Sequence, residues 1–275
     1  MNIVEDVRKL NLPQGEYLVL GSGILGALGI REIGDIDLLV SPSVFDKLRA
    51  EGWAYDEIEI EGQTREHLSR GEVEVYRDFW YGSNHPDPAT LIADPQIIDS
   101  IPFLSLQKLA EIKKILARPK DLRDIELIDT YRLKKSWAGG FLYNRKDGTI
   151  LLHHRDANTK INPDKWAFFG GLNEGSETFV ECFVRELREE IGLSIRPEQA
   201  ILLREYLNTD MGTYRVIFYV ESDISASELV LGEGAGFEWV PIEKAFSYDL
   251  TEKTQDDLRY FVKVTGVGIE LRLAK

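Results

Sequence analysis

Residues 171–193 constrain the fold most, because they join a glycine turn to a strongly amphipathic helix. Thr178 and Glu181 have capping-box spacing, so the helix is predicted to begin there, and Gly192 suits its C-terminal end. Four side chains form an apolar stripe that can dock on a sheet: Phe179, Cys182, Phe183 and Leu187. Cys182 is therefore expected to be a small buried residue.

Three carboxylates share one face of this predicted helix. Glu186, Glu189 and Glu190 are spaced i, i+3 and i+4, and like charges at that spacing repel one another. A hard divalent cation with oxygen ligands is the natural compensation. Arg185 lies beside the three and can partly neutralise and orient them.

Length and charge limit the classes of function. The chain has 275 residues, enough for two domains, and 47 acidic against 33 basic side chains give a net charge of −14. Such a surface disfavours stable nucleic-acid binding, whereas small phosphorylated substrates can bind through metal ions. Cys182 is the only cysteine, which excludes an intramolecular disulfide. With no signal peptide or membrane-spanning run in the sequence, we expect a soluble cytoplasmic protein, and a homodimer is the default assembly.

The spacing Gly171-x5-Glu177-x7-Arg185-Glu186-Leu187-x-Glu189-Glu190-x-Gly192-Leu193 resembles a complete Nudix box. The resemblance covers about residues 136–266, with flanking residues 168–171 and 238–241 also similar. It implies an α/β/α sandwich hydrolase that uses Mg²⁺ or Mn²⁺ to cleave a nucleoside diphosphate linked to another moiety.

The same resemblance implies roles for individual residues. Glu186, Glu189 and Glu190 would be metal ligands, and one of the latter two would help to deprotonate water. Arg185, also expected among the catalytic residues, would hold the box in shape together with Glu177, and Gly171 would permit the loop. The structural residues of the box are Gly171, Glu177, Leu187 and Gly192. Glu233 is our choice for a further acid outside the box. Because His153 and His154 are adjacent on a strand, they point to opposite faces and are treated as strand residues.

The first half of the chain reads as a separate domain. A short strand ends at Gly21, a helical stretch follows to about Ile30, and a strand is expected at residues 35–40. A helix at residues 44–51 with Ser43 as its cap comes next. We therefore expect domains at residues 1–135 and 136–275, both of the mixed α/β (α+β) class.

Acidic residues in this half have the pattern of a second metal site. Asp35 and Asp37 would project to the same side of a strand, and the Gly21-Ser22 turn could offer backbone N–H groups to a phosphate. Glu74 on a later strand fits as the acid that activates an attacking hydroxyl. Asp78 is the alternative.

This arrangement resembles the nucleotidyltransferase superfamily, whose pattern is apolar-Gly-(Gly or Ser), a spacer, then Asp-apolar-(Asp or Glu)-apolar. The resemblance covers roughly residues 10–135 and implies a mixed sheet with helices, with metal at Asp35 and Asp37 and nucleotide at Gly21 and Ser22. It implies that the domain binds an NTP. A further expectation is that it transfers a nucleotidyl group, with Glu74 activating the attacking hydroxyl.

Residues 108–135 contain nine basic and five acidic side chains. They are interpreted either as a solvated helical face or as a basic wall that helps to hold phosphates. A helix capped by Ser105 is predicted here, interrupted by Pro119.

The sequence thus favours a hydrolase of nucleotide diphosphates fused to a nucleotidyltransferase-like domain. One alternative is a ligand-sensing protein that uses the Nudix fold as a nucleotide pocket. Another makes the first domain a toxin-like or tRNA-modifying transferase. Loops such as residues 156–165 and 208–213 would set substrate identity.

Overall fold

The computed structural model describes residues 2–60 and 62–267 and divides into two compact units. The first comprises Met1–Arg132 and Tyr206–Gly212, and the second comprises Leu133–Glu205 and Thr213–Lys275. Two mixed sheets with surrounding helices confirm the predicted α/β class.

The first sheet has seven strands in the order β3-β4-β5-β2-β1-β7-β6. The β1–β7 and β2–β5 pairs are parallel, and the other pairs are antiparallel. Its strands are β1 Tyr17–Val19, β2 Ile36–Val40, β3 Ala54–Ile60, β4 Gln63–Arg70, β5 Val73–Tyr76, β6 Gln96–Ile98 and β7 Ile101–Phe103. The helices of this part of the chain are α1 Ile3–Lys9, α2 Gly23–Ala27, α3 Pro42–Ala50, α4 Pro88–Ala93, α5 Leu106–Leu116 and α6 Pro119–Lys134.

The second sheet is centred on parallel strands β8 and β13, with the order β10-β9-β8-β13-β12; β11 pairs with β8, and β14 pairs with β9. Its strands are β8 Ser136–Asn144, β9 Thr149–His154, β10 Trp166–Ala167, β11 Phe169–Leu172, β12 Ile201–Asn208, β13 Thr213–Glu221 and β14 Gly236–Pro241. The helices are α7 Phe179–Ile191, α8 Ile242–Ala245 and α9 Glu252–Thr265, with 3₁₀ turns at Pro197–Gln199 and Ala226–Glu228.

Two helices cover opposite faces of the second sheet. Gly140 on β8 lies under Phe183 of α7, whereas its neighbour Phe141 packs edge-on against Phe261 of α9, with ring centroids 5.0 Å apart. Successive strand residues point to opposite faces, so this part of the chain is an α/β/α sandwich.

Capping residues in the sequence correctly predicted ends of helices α5 and α7. Thr178 forms the predicted capping box with Glu181, and Gly192 ends α7 in the left-handed conformation. Ser105 caps α5 as expected, with its Oγ accepting from Lys108 N–H. The predicted cap of α3 is wrong: Ser41 Oγ, not Ser43, accepts from Val44 N–H, and a proline follows the true cap.

Two predicted elements in the first half differ from the structure. Helix α2 spans only five residues, because the chain leaves the helical conformation before Gly29, whose φ is +65°. Asp35 lies one residue before strand β2 rather than within it. Strand β4, QTREHLSR, carries little local signal in the sequence, because its mostly polar residues lack the apolar alternation of a strand.

Basic residues of the 108–135 segment take part in a buried ion network. Lys113 Nζ lies 3.1 Å from Asp121 Oδ1 and 2.7 Å from Asp124 Oδ2, and Arg118 Nε lies 2.6 Å from Asp121 Oδ2. Both aspartates are buried. These ion pairs tie α5 to α6, so this part of the segment is neither a solvated face nor a free basic wall.

Among the described residues, none of the helices has the length and apolar character needed to cross a bilayer.

Lys113→Met should destabilise the protein by about 1–3 kcal/mol, because it removes one cation from two buried carboxylates while Arg118 and Arg31 remain on them. The matched variant Lys114→Met changes an exposed lysine on the same helix and should stay within about 0.5 kcal/mol of the wild type. Urea unfolding measures both. Equal midpoints for the two variants would contradict the buried network.

Candidate active site

Arg185 on α7 connects three of the predicted box residues. Its Nε and Nη2 donate to the two carboxylate oxygens of Glu177 at 3.1 and 2.9 Å. Its Nη1 donates to Glu186 Oε1 at 2.7 Å and to Glu189 Oε2 at 3.0 Å, and Nη2 also reaches Leu172 O. One guanidinium thus holds the glycine turn on the helix and neutralises part of the acidic face.

Glu190 lies deepest of the three helical carboxylates. Its residue is 4% exposed, whereas the side chain of Glu189 is 50% exposed. Gly170 N–H donates to Glu190 Oε2 at 2.9 Å. Burial, followed by the charges of Glu186 and Glu233, nevertheless raises the pKa of Glu190 to about 9.

Glu186 lies against the glycine turn. A Cβ built on Gly171 would overlap the Glu186 carboxylate, so the close approach of backbone and carboxylate requires glycine there. Burial raises the pKa of Glu186; hydrogen bonding from Arg185 opposes the rise, and the charges of Glu189 and Glu233 add to it.

The structure brings Glu233 from a distant loop to this helix. Gly232 N–H donates to Glu190 O at 2.8 Å, which fixes the loop at the last turn of α7. The charge of Glu233 then acts on both Glu186 and Glu190. His153, treated as an ordinary strand residue at the sequence level, is buried beside Glu190, whereas His154 points to the other face of β9 and is partly exposed.

Oxygen donors and negative charge at this site suit a hard divalent cation in their chemistry. Burial raises the pKa values of Glu186 and Glu190, the charge of Glu233 adds to both rises, and a cation would relieve that repulsion. Arg185 bridges the carboxylates of Glu186 and Glu189, whereas that of Glu190 accepts from Gly170 N–H. Within residues 2–60 and 62–267, no group of three or more acidic, histidine or cysteine side chains has metal-binding geometry.

The predicted glycine turn of the first unit lies against Asp37, one of the two predicted aspartates. Gly21 has φ +54°, and a Cβ there would lie 2.6 Å from Asp37 Oδ2. Burial raises the pKa of Asp37 to about 6, and the charges of Asp35 and Glu74 contribute, while Lys120 and Arg65 act in the opposite direction. The turn and three acids therefore share one small region.

Strand register places Glu74 beside Asp37, since the two residues are partners in the parallel β2–β5 pair. Tyr76 Oη donates to Glu74 Oε2 at 2.6 Å. Asp78 lies beyond the end of β5, and its Oδ1 is 3.1 Å from Arg65 Nε. Geometry thus favours Glu74 over Asp78 as the third acid.

Ser22 has a partner that the sequence analysis did not identify. Arg31 Nη2 donates to Ser22 Oγ at 2.6 Å, and the same guanidinium makes two hydrogen bonds to Asp124 at 2.6 and 2.9 Å. The turn is thereby linked to the ion network of α5 and α6. Only the folded chain brings Arg31 and Asp124 together, so local sequence patterns carry no signal for this contact.

The buried carboxyl of Glu190 should make stability depend on pH. The folded protein holds the proton up to about pH 9, whereas the unfolded chain releases it near the ordinary value of 4.5. The stabilisation by the neutral carboxyl is therefore complete below pH 4.5 and is lost as pH rises towards 9.

Glu190→Gln cannot ionise and keeps an acceptor for Gly170 N–H. We expect the metal-free variant to melt several degrees above wild type at about pH 8.5 and close to it at about pH 5. Calorimetry with a chelator present measures this difference. A variant that melts at or below the wild-type temperature at the higher pH would contradict the burial of an ionisable carboxyl.

Comparison with known proteins finds a family and several relatives for the second half of the chain. Residues 134–263 match the NUDIX domain family model. A nucleoside triphosphatase NudI from Salmonella arizonae is 29% identical over 125 residues, which are 42% of this chain and 89% of that protein. A prenyl-diphosphate phosphatase from Methanosarcina mazei is 27% identical over 101 residues, which are 36% of this chain and 59% of that protein.

A solved structure of a MutT protein from Methanosarcina mazei Go1 aligns with a TM-score of 0.41 and 22% identity, covering 48% of this chain and 94% of that one. The family match includes the complete motif of residues 171–193, whose helical part forms α7. Residues 134–263 of this chain are a Nudix domain.

Proposed function

We propose that the Nudix domain hydrolyses the diphosphate linkage of a small nucleotide or related diphosphate ester. The main support is the pair of desolvated carboxylates beside a glycine turn, Glu186 and Glu190, whose pKa values are raised by burial and also by the charge of Glu233. The names of the two relatives, a nucleoside triphosphatase and a prenyl-diphosphate phosphatase, are in line with this substrate class. Stable nucleic-acid binding forms no part of the proposal.

Glu186 and Glu190 would hold Mg²⁺ or Mn²⁺, with Glu189 and Glu233 as further ligands. The chemistry that a bound divalent cation supplies here is neutralisation of the diphosphate charge and a lower pKa for water. Glu189 is our choice for the residue that takes the proton from water, because its carboxylate reaches solvent whereas that of Glu190 is buried. Arg185 orients Glu186 and Glu189, and Gly171 leaves room for the carboxylate of Glu186.

For residues 1–135 we propose a nucleotidyltransferase-like domain, with the hydrolase domain at residues 136–275. Asp35 and Asp37 would hold a divalent metal, Gly21 and Ser22 would contact the phosphates of an NTP, and Glu74 would accept the proton of the attacking hydroxyl. The support is the close approach of Gly21 to Asp37 and the register pairing of Asp37 with Glu74. A domain that binds an NTP and one that cleaves diphosphates could share metabolites.

A ligand-sensing role is the second candidate. It is favoured by Arg185, which neutralises Glu186 and Glu189 without a metal and so could stabilise a binding pocket in the absence of catalysis.

Glu189→Gln combined with Glu190→Gln separates these two functions. Hydrolysis predicts that turnover falls by at least about a hundredfold while nucleotide binding persists, because the proton acceptor and one ligand are lost. Wild type and variant are compared with Mg²⁺ or Mn²⁺ on NTPs, dinucleotides, nucleotide sugars and prenyl diphosphates, with products identified by mass. Equal turnover in the double variant, or no product from wild type with any substrate, would contradict the proposal.

Asp35→Asn combined with Asp37→Asn tests the first domain. Wild-type protein incubated with α-labelled NTP should label an acceptor in total RNA, protein or small-molecule extract, and the variant should leave only background, because both proposed metal ligands are removed. The Glu189→Gln, Glu190→Gln protein is the matched control and should label as wild type does. Equal labelling by the aspartate variant would exclude the proposed transferase site.

A further inference from the structure

His153 is a buried, titratable side chain to which the proposed reaction assigns no task. It is 2% exposed at the end of β9, and its ring stacks on Phe169 with centroids 5.2 Å apart and planes 12° apart. Its register partner on β14 is Phe237. An apolar side chain would suit such surroundings better, since burying imidazole nitrogens carries a desolvation cost.

Both ring nitrogens face proposed components of the site. Nε2 lies 3.0 Å from Glu233 O, and Nδ1 lies 3.4 Å from Glu190 Oε1. A carbonyl oxygen can only accept, so Nε2 carries the hydrogen and the Nδ1 lone pair points at Glu190. Across the described part of the chain, Nδ1 is among the buried atoms without a hydrogen-bond partner.

The loop that carries Glu233 is shaped to meet this ring. Gly234 has φ +91°, and a Cβ there would overlap His153 Nε2. Ala235 N–H donates to His154 O at 2.8 Å, and Gly232 N–H donates to Glu190 O at the same distance. The loop is therefore held at the helix end, at the histidine ring and at the strand.

We propose that His153 is a positioning residue that holds Glu233 through its Nε2–H, so that a loop carboxylate joins Glu186 and Glu190 in one cation site. The inference rests on the proposed metal-dependent function. His153, a strand residue outside the Nudix box, would thereby join the loop that carries Glu233 to helix α7.

Three substitutions separate the two ring contacts. His153→Gln places an amide N–H near the Nε2 position and should preserve the Glu233 contact. His153→Asn can replace only the atom that faces Glu190, and His153→Phe keeps the stacking on Phe169 and loses both polar contacts. A purely structural role would depend on ring shape and would favour Phe over Gln.

Mn²⁺ binding measured by calorimetry without substrate gives a readout independent of turnover. All proteins carry Asp35→Asn and Asp37→Asn, which remove the proposed metal ligands of the first unit. We expect His153→Gln to bind within about threefold of the parent, and His153→Asn and His153→Phe to bind about 10–100-fold more weakly. His154→Gln, on the opposite face of the strand, should bind as the parent does.

Gly234→Ala provides a test that leaves the histidine in place. Its Cβ pushes the loop from the ring, so Mn²⁺ affinity should fall by about tenfold or more while folded circular dichroism is retained. Unchanged affinity in both His153→Phe and Gly234→Ala would overturn the proposal, as would equal loss in His153→Gln and His153→Phe. If the parent itself binds no Mn²⁺, the proposed hydrolase function fails together with this inference, whereas binding by the parent with no effect of the variants removes the inference alone.

Discussion

Repulsion between carboxylates that have lost their water is the constraint on which the Nudix site depends. Burial raises the pKa values of Glu186 and Glu190 on one helix, and the charge of Glu233 on a nearby loop adds to both rises. A proton on Glu190, the guanidinium of Arg185 and a divalent cation are three ways to offset that repulsion. Binding of a cation, unlike the other two, would also prepare the site to neutralise a diphosphate.

The two units share one structural feature, a glycine that lies against a carboxylate. In each, a glycine lies so close to a carboxylate that a Cβ at that position would overlap it: Gly171 at Glu186 and Gly21 at Asp37. In each, burial and neighbouring acids raise the pKa of a carboxyl. The two units differ in how basic residues are used, since Arg185 contacts the acids directly whereas Arg31 contacts the hydroxyl of the glycine-serine turn.

Local signals in the sequence were sufficient for much of the fold. The capping box and apolar stripe of α7 predicted its bounds, because helix ends and faces are determined by residues three and four positions apart. Strand β4 was missed because its polar residues pack only in the context of the sheet. The sequence placed Glu189 and Glu190 on one ridge but could not show that one is exposed and the other buried, since that depends on how the helix docks. The contact of His153 with Glu233 joins positions 80 residues apart and has no local signal.

We propose that the acidic face of α7 binds divalent cations so that a diphosphate can be hydrolysed there. Anomalous diffraction from crystals soaked with Mn²⁺ and a non-cleavable diphosphate analogue tests it most directly. We expect manganese peaks beside Glu186 and Glu190, with the analogue's phosphates in contact with them. Manganese and analogue bound elsewhere, with no peak along this face of the helix, would contradict it.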